Sequence, residues 1–347
     1  MAIKVRSFAK INIGLVIGPP GTRQDHFHEL RTVYQTVAMA DQLTIEVTRA
    51  KKASIEIICA NPDVPKDELN TCYKATAAVL AALKVSAQVR IEIDKRLPVQ
   101  GGLGASSGNA AAAILAVERI IAAKKLSKKH LSPINRMRIA AEIGSDVPLF
   151  LVGGTVLGIG RGEQVIPLPD APEPDVVIAT PKLKVATPKA FADWDAQFRD
   201  KRSYAMFERV DKDQPELTVE GQSDKLSEFS NELSAWLSGY FSAASGVPAR
   251  GGNRAEALLL DLVRTGIEND FERVVFPQFP ELRDIKRQLE REGSKYASLS
   301  GSGSAVYGLF SSRAAAVKAA KRLNAKGIPA QATKFLSRAQ YWSAVKV

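Results

Sequence analysis

Cysteine and long apolar runs are both scarce in this chain. Its 347 residues include only Cys59 and Cys72, which are too few for a disulfide framework and lack the spacing of a zinc site. We interpret them as two buried thiols in a reducing compartment. The sequence also has no run of about eighteen apolar residues, the length that spans a bilayer, so we expect no membrane partner.

A secretory signal and concentrated charge are missing as well. The first ten residues, MAIKVRSFAK, lack the charged-then-apolar pattern of a signal peptide, and we expect a cytoplasmic protein. The formal net charge of +11 raises the question of nucleic acid, but the basic clusters are weak and lack interleaved aromatic residues. We therefore expect no nucleic-acid partner. A solvated basic face and attraction of an anionic substrate explain the charge equally well.

Glycine and other small residues, by contrast, are concentrated between Leu97 and Ala116, in LPVQGGLGASSGNAAAAILA. Glycine turns the chain tightly, and the alanine-rich helix that should follow offers unpaired N–H groups at the positive end of its dipole. The spacing differs from both GxxxxGK[ST] and GxGxxG. Two interpretations stay open for the residues alone: a phosphate-binding loop, and a small-residue turn that packs a helix closely.

Three polar side chains lie in apolar surroundings elsewhere. Residues 3–15 alternate as short strands do, which places Lys10 and Asn12 on one face; an exposed strand lysine is the simplest interpretation. Asp146 precedes Val147 and Pro148 in IGSDVPLFL. In that position it is typical of a cap on a short helical turn.

Two loops carry less common side chains. His26, Phe27 and His28 follow a glycine- and proline-rich stretch, and without a third ligand they make a poor metal site, so we favour a loop that stacks a ring. Near the C-terminus, SLSGSGSAVYGLF places residues 301–303 between two strands. This second glycine turn is either a hairpin turn or a phosphate-facing loop.

The remaining pattern alternates strands and helices. RTVYQTV, DQLTIEVTR, SIEIICA, QVRIEID and DVVIAT favour strands, and helices are predicted at 70–83, at 131–144, from about Pro188 and over EALLLDLV at 256–263. Between them, residues 199–252 are charged and punctuated by glycine, although ELSAWLSGYFSAASG at 232–246 resumes helical spacing. We predict an insertion or mobile connector there.

Taken in order, SFAKINIGL, LPVQGGLGASSGNAAAA, IGSDVPLFL and LSGSGSAVYGLF resemble the motifs of the GHMP superfamily of small-molecule kinases. DHFHELRTVYQTV, DQLTIEV, GGTVLGIGRGE and NDFERVVFPQFPEL are similar to the branch that phosphorylates a cytidine diphosphate sugar alcohol in isoprenoid precursor synthesis. The resemblance implies an α+β fold with ATP and substrate in an interdomain cleft. Residues 1–175 would form the N-terminal domain, and residues 176–347 the C-terminal domain with a divergent insertion near 199–252.

The resemblance also implies roles for individual residues. Lys10 and Asp146 match the family's lysine and aspartate and would face the hydroxyl to be phosphorylated, with ATP and Mg²⁺ as cofactors. The residues implied to bind ATP are Pro98, Gly101, Gly102, Leu103, Gly104, Ala105, Ser106, Ser107 and Gly108. Those implied to bind the alcohol substrate are Asn12, Phe27, His28, Phe191, Gly301, Ser302 and Gly303.

The sequence departs from the family pattern at several positions. Gly108 and Asn109 stand where the pattern GGGLGGGSSDAA has serine and aspartate, and His26 and Phe27 stand where DGYH has glycine and tyrosine. The departures leave the metal ligands open. Two alternatives also stay open: a GHMP kinase of another alcohol such as homoserine, mevalonate or a sugar, and a non-catalytic nucleotide- or RNA-binding protein. Either a monomer or a homodimer is expected.

Overall fold

The computed structural model describes residues 2–171, 173–198, 217–244 and 268–345. Within these ranges the chain forms two β-sheets with helices packed on each. The helix predicted at 256–263 lies outside the described residues, as do the two ends of the 199–252 segment. None of the described helices is both long enough and apolar enough to cross a bilayer.

Two long antiparallel strands organise the first sheet. β1 (Ala2–Ile17) pairs with β2 (Leu30–Arg49) along its length, where the sequence predicts several shorter strands. The pairing shifts after Phe8 and after Ile13, and such irregularities let one strand bend and continue. The other strands are β3 (Ser54–Cys59), β4 (Ala87–Asp94), β5 (Thr155–Ile159) and β6 (Gln164–Pro167). The order is β3-β4-β2-β5-β6, with β1 on β2.

Three helices close the first core: α1 (Thr71–Leu83), α2 (Ala105–Ala123) and α3 (Pro133–Ile143). α1 and α2 pack on the sheet, and α3 packs on these two helices. α1 and α3 begin where polar side chains, Asn70 and Ser132, accept hydrogen bonds from first-turn N–H groups. Cys59 and Cys72 are free and buried in this core, which confirms that they are buried thiols. Burial raises the pKa of Cys72 to about 12, so this thiol stays neutral.

The second sheet lies in the later part of the chain. Its strands are β7 (Asp175–Ala179), β8 (Tyr296–Leu299), β9 (Val306–Phe310) and β10 (Ala330–Lys334). They are antiparallel in the order β10-β7-β9-β8. The helices of this part are α4 (Thr187–Ala196), α5 (Val219–Ala244), α6 (Phe271–Gln278), α7 (Pro280–Arg291) and α8 (Arg313–Ala325). Trp194 and Phe310 fill the core beneath them.

A shared apolar core joins the two sheets. Ile11 and Val33 from the first sheet pack with Ile178 and Tyr307 from the second. The Tyr307 hydroxyl also donates a hydrogen bond to the carbonyl oxygen of Asn12, 2.8 Å away. The middle of β1, which carries Lys10 and Asn12, is therefore fixed from both halves of the chain.

The structure of α5 contradicts part of the prediction for residues 199–252. It begins at Val219, inside the 199–252 segment that the sequence predicts as an insertion or connector. Leu226, Phe229 and Leu233 lie on one helical face and are buried in the shared core. The prediction of a mobile connector is therefore wrong for this part of α5, because its apolar face packs on β1 and β2.

The final helix, α9 (Arg338–Val345), returns to the first core. Leu336, Tyr341 and Val345 belong to that core, and the Tyr341 hydroxyl donates to the carbonyl oxygen of Phe150 at 2.6 Å. The division at residue 175 stays a prediction. The packing nonetheless shows that residues 336–345, predicted in the second domain, contribute to the core of the first.

Candidate active site

The glycine-rich stretch forms a loop that ends at the N-terminus of α2. Gly104 is the N-cap residue in a left-handed conformation, and no side chain caps the helix there. Gly102 has a φ of +73°, and a Cβ on it would lie 2.0 Å from the carbonyl oxygen of Ser300. Only glycine allows the two glycine turns to touch so closely. The result is a helix N-terminus whose first N–H groups face open space, an arrangement suited to an anion.

A cavity of about 520 Å³ opens above this helix N-terminus. Asp146 lies on its wall, and so do Thr187 and Gly303 from the second half of the chain. It is also lined by eight of the predicted ATP-binding residues: Pro98, Gly101, Gly102, Leu103, Gly104, Ala105, Ser106 and Ser107. The cavity extends to a loop with apolar side chains, among them Val64, Pro65 and Leu69.

Lys10 and Asp146 meet beside the glycine loops. The Lys10 ammonium nitrogen lies 3.3 Å from Oδ2 of Asp146 and donates to Oδ1 of Asn12 at 2.7 Å. Lys10 is only 3% exposed, so the interpretation as an exposed strand lysine is wrong; its charge is balanced by these partners. Asp146 does not cap the short turn at Pro148–Leu151, which has no side-chain cap. It keeps partial access to solvent and to the cavity.

Tyr34 is a side chain of this site that the sequence analysis did not predict. Its hydroxyl donates to Oδ1 of Asp146 at 3.1 Å, so Lys10 and Tyr34 approach the two oxygens of one carboxylate. Burial, and then the nearby Asp146 charge, raise the pKa of Tyr34 well above its ordinary value. Tyr34 is the cross-strand partner of Asn12, a pairing that the two strand patterns alone do not specify.

The second glycine turn, residues 301–303, lies against Lys10 and Asn12. A Cβ on Gly301 would lie 3.4 Å from Nζ of Lys10 and 3.5 Å from Oδ1 of Asn12. The Ser302 hydroxyl lies 2.8 Å from that of Thr187, at the start of α4. This turn therefore contacts both the Lys10 group and the cavity, although it also joins two neighbouring strands as the hairpin interpretation expects.

The predicted substrate residues beyond this turn form two groups. The His28 ring stacks on Phe191, with centroids 4.9 Å apart and planes 12° from parallel. Nε2 of His28 donates to Oδ1 of Asp195 at 2.6 Å. Phe27 is 50% exposed, and the guanidinium carbon of Arg161 lies 5.0 Å from its ring centre. The structure thus brings His28 and Phe191 together and leaves Phe27 at the surface.

Comparison with known proteins now adds to this geometry. The family model described as GHMP kinases N terminal domain matches residues 70–154, and GHMP kinases C terminal matches residues 254–329. A 4-diphosphocytidyl-2-C-methyl-D-erythritol kinase of Solibacter usitatus is 36% identical over 92% of this chain and 84% of its own length. This chain belongs to the GHMP kinases. It is an ATP-dependent kinase, as the sequence predicts.

Further relatives and solved structures agree with this placement. The kinase of the same name from Caldicellulosiruptor bescii is 30% identical over 92% of this chain and 94% of its own. A crystal structure of 4-(cytidine 5'-diphospho)-2C-methyl-D-erythritol kinase, 27% identical, has a TM-score of 0.64 and covers 96% of this chain and 99% of its own. The homoserine kinase of Cytophaga hutchinsonii, 20% identical with a TM-score of 0.66 over 97% and 95%, shares the fold. The predicted α+β GHMP kinase fold is confirmed.

One predicted ATP-binding residue of this GHMP kinase lies away from the cavity. The N–H of Gly108 already donates to the carbonyl oxygen of Gly104 at 2.8 Å, at the start of α2. A Cβ on Gly108 would lie 2.8 Å from Oγ of Ser7 and 2.9 Å from the carbonyl oxygen of Phe8. Gly108 therefore faces β1, and this face of α2 packs too closely on β1 for the serine of the family pattern. Its contact with ATP stays a prediction.

The asparagine that replaces the GHMP pattern's aspartate also has a structural reason. Nδ2 of Asn109 donates to Oδ2 of Asp41 at 3.1 Å, and Asp41 is fully buried. Asp41 also accepts hydrogen bonds from the Lys95 ammonium and from the N–H groups of Arg96 and Leu97. An aspartate at 109 would place two carboxylates together, whereas asparagine supplies a donor.

Replacing Tyr34 by phenylalanine is expected to lower kcat about 10- to 100-fold, because a buried hydrogen bond to a carboxylate is worth about 1.5–3 kcal/mol. Since the pKa of Tyr34 is raised, its phenol stays protonated and the wild-type profile of kcat between pH 6 and 10 gains no falling limb from it. Tyr341→Phe also removes one buried hydrogen bond, away from Asp146, and should keep kcat. A falling limb near pH 10 that Tyr34→Phe abolishes would contradict this role.

Proposed function

We propose that the protein transfers the γ-phosphoryl group of ATP to the 2-hydroxyl of 4-diphosphocytidyl-2-C-methyl-D-erythritol, in the methylerythritol phosphate route to isoprenoid precursors. The observation that carries the proposal is the Lys10–Asp146 pair, 3.3 Å apart, between two glycine turns and at the wall of an anion-suited cavity. The names of the relatives that match over most of the chain support this choice of alcohol.

Phosphoryl transfer depends on orientation of the attacking hydroxyl and on neutralisation of charge more than on covalent catalysis by the protein. Asp146 accepts the hydroxyl proton as the acceptor oxygen bonds to the γ-phosphorus and the bond to the bridging oxygen of ADP breaks. Lys10 stabilises the negative charge that develops on the transferred group. Tyr34 and Asn12 hold Asp146 and Lys10 in this arrangement.

ATP would bind in the cavity with its phosphates at the N-terminus of α2. The N–H groups of Ser106 and Ser107 lie in the first turn of that helix, which has no side-chain cap. The apolar end of the cavity, at Val64, Pro65 and Leu69, suits a flat base such as adenine. Gly303 would close the phosphate end from the second half of the chain.

Magnesium fits this site as an ion carried mainly by ATP. Among the described residues no group of three or more His, Cys, Asp or Glu side chains could hold a metal, whereas the cavity wall offers oxygen donors from Asp146, Ser106 and Ser107. Mg²⁺ usually keeps waters and takes one or two protein oxygens beside substrate phosphates. When bound, it would neutralise phosphate charge.

The alcohol substrate would occupy the side of the site formed by Asn12, the Gly301–Gly303 turn and the His28 loop. His28 and Phe191 stack on each other, so neither ring offers the shared face to a base. Phe27 offers an exposed ring, which suits the cytosine of the proposed substrate. The positive charge of the chain favours capture of this anionic molecule. We place the enzyme in the cytoplasm, as a monomer or homodimer without nucleic-acid partners.

A substrate panel tests the proposal. ADP release is measured with the cytidine diphosphate alcohol, homoserine, mevalonate and the free sugar alcohol at equal concentrations. We expect kcat/KM for the cytidine compound to exceed the others by at least about 100-fold, since base recognition adds binding energy that is used in the transition state. Equal turnover of an alcohol without the cytidyl group would contradict it.

A further inference from the structure

The NDFE stretch, residues 269–272, is a motif of the sequence that the mechanism above does not use. Asn269 and Asp270 are buried at the start of α6, where the chain runs between β1 and the second glycine turn. We propose that Asn269 is a positioning residue for phosphoryl transfer: it holds the Gly301 turn against Lys10 and Asn12. This rests on the kinase activity proposed above and adds a residue to it.

Asn269 contacts the turn through both hydrogens of its amide. Nδ2 donates to the carbonyl oxygens of Leu299 and Gly301, each at 2.8 Å, and Oδ1 accepts the N–H of Phe271 at 3.1 Å. Its side-chain hydrogen-bonding groups are thus used, and only 1% of its surface is exposed. Because the two acceptors are two residues apart, the amide fixes the entry of the turn from β8.

The neighbours of Asn269 fix its own position. Asp270 accepts hydrogen bonds from the N–H of Ile17, at 2.9 Å, and from Nε2 of Gln222, at 2.8 Å. Glu272 accepts from the N–H of Leu299 at 2.8 Å and pairs with Lys286 at 2.6 Å. The motif is therefore tied to β1, α5 and β8, and Asn269 has little freedom to move.

The consequence for catalysis follows from what Gly301 touches. A Cβ on Gly301 would lie within 3.5 Å of both Nζ of Lys10 and Oδ1 of Asn12, so the turn packs directly on the group that aligns Asp146. Loss of the amide would leave two buried carbonyl oxygens without this donor and let the turn move. A displacement of about 1 Å at reacting groups can cost about 100-fold in rate.

The test compares Asn269→Ala with Gln35→Ala. Both remove a carboxamide that is 1% exposed and donates two hydrogen bonds, but Gln35 donates to the carbonyl oxygens of Thr36 and Leu336 and accepts from the Thr155 hydroxyl, so none of its hydrogen bonds reaches the Gly301 turn or Asn269. We expect Asn269→Ala to lower kcat at least about tenfold with KM for ATP and for the alcohol within about twofold. Gln35→Ala should keep wild-type kcat with a similar fall in melting temperature.

The outcomes separate the inference from the proposed function. Equal loss of kcat in both variants, wild-type kcat in Asn269→Ala, or a change confined to KM for ATP overturns the positioning role. If Asn269→Ala does not fold, Asn269→Asp keeps the shape and can donate at most one of the two bonds. Its kcat should fall, and a wild-type kcat overturns the role equally. If the wild type phosphorylates only another alcohol, the proposed substrate fails and the same comparison is made with that alcohol.

Discussion

Replacing Asp146 by asparagine is expected to lower kcat by roughly 100- to 10,000-fold, the usual contribution of a positioned general base. Asparagine keeps the size of the side chain and an oxygen for Tyr34, but its amide cannot take the hydroxyl proton. It also removes the negative partner of Lys10, 3.3 Å away. Steady-state ADP release gives kcat, and equilibrium binding of an ATP analogue should stay within about threefold because the helix N-terminus is unchanged.

Asp193→Asn is the matched control for this experiment. Asp193 is a carboxylate on α4 that pairs with Lys189 near the surface, at 2.9 Å, and it is not part of the cavity wall. The same chemical change there should leave kcat unchanged, since surface pairs contribute little to stability. Retained turnover in Asp146→Asn would sink the proposed proton transfer, whatever the binding data show.

Replacing Gly102 by alanine adds one methyl group where the two glycine turns touch, and we expect a large loss of both stability and ATP binding. The added Cβ would lie 2.0 Å from the carbonyl oxygen of Ser300, so backbone must move in one of the two glycine turns. Strain at a positive φ costs about 1–3 kcal/mol, and overpacking adds about 1–3 kcal/mol. We expect the free energy of unfolding to fall by about 2–6 kcal/mol and KM for ATP to rise at least about tenfold. Urea denaturation and steady-state kinetics measure the two effects.

Gly21→Ala is the control that separates the effect of a positive φ from the effect of the contact with Ser300. Gly21 has a φ of +75°, almost the +73° of Gly102, but a Cβ there would meet nothing within 4 Å. The free energy of unfolding of Gly21→Ala should therefore fall only by the cost of a positive φ, about 1–3 kcal/mol. Its KM for ATP should be unchanged. If the two variants behave alike, the contact between the turns does not matter for ATP.

Local sequence patterns predicted much of the fold and two parts of the candidate site, the glycine loop and the face that carries Lys10 and Asn12. Alternation predicted the strands, and helical spacing predicted α1 and α3 close to their observed ends. The glycine stretch pointed to a helix N-terminus, and the structure places that N-terminus on a cavity. Period-two alternation also put Lys10 and Asn12 on one face, where they are hydrogen-bonded.

What the sequence could not supply was long-range pairing. The burial of Lys10 depends on Asp146, and the importance of Tyr34 depends on the register that sets it opposite Asn12. Asp41 lies in an ordinary strand pattern, yet it gathers Lys95 and Asn109 from distant positions. A single sequence carries no local signal for such contacts, because the groups meet only after the sheets have formed. Helical spacing predicted the second half of α5, whereas the charged residues before position 232 obscured the first half.

The return of α9 to the first core bears on how the chain is synthesised. Leu336, Tyr341 and Val345 complete a core whose other side chains come from residues 3–156, so that core closes only when nearly all of the 347 residues have been translated. Until then, the site of the Tyr341 ring beside Gly153 stays open to solvent. A nascent chain of this protein would therefore keep part of that core uncovered until residues 336–345 emerge, and exposed apolar surface of this kind favours aggregation.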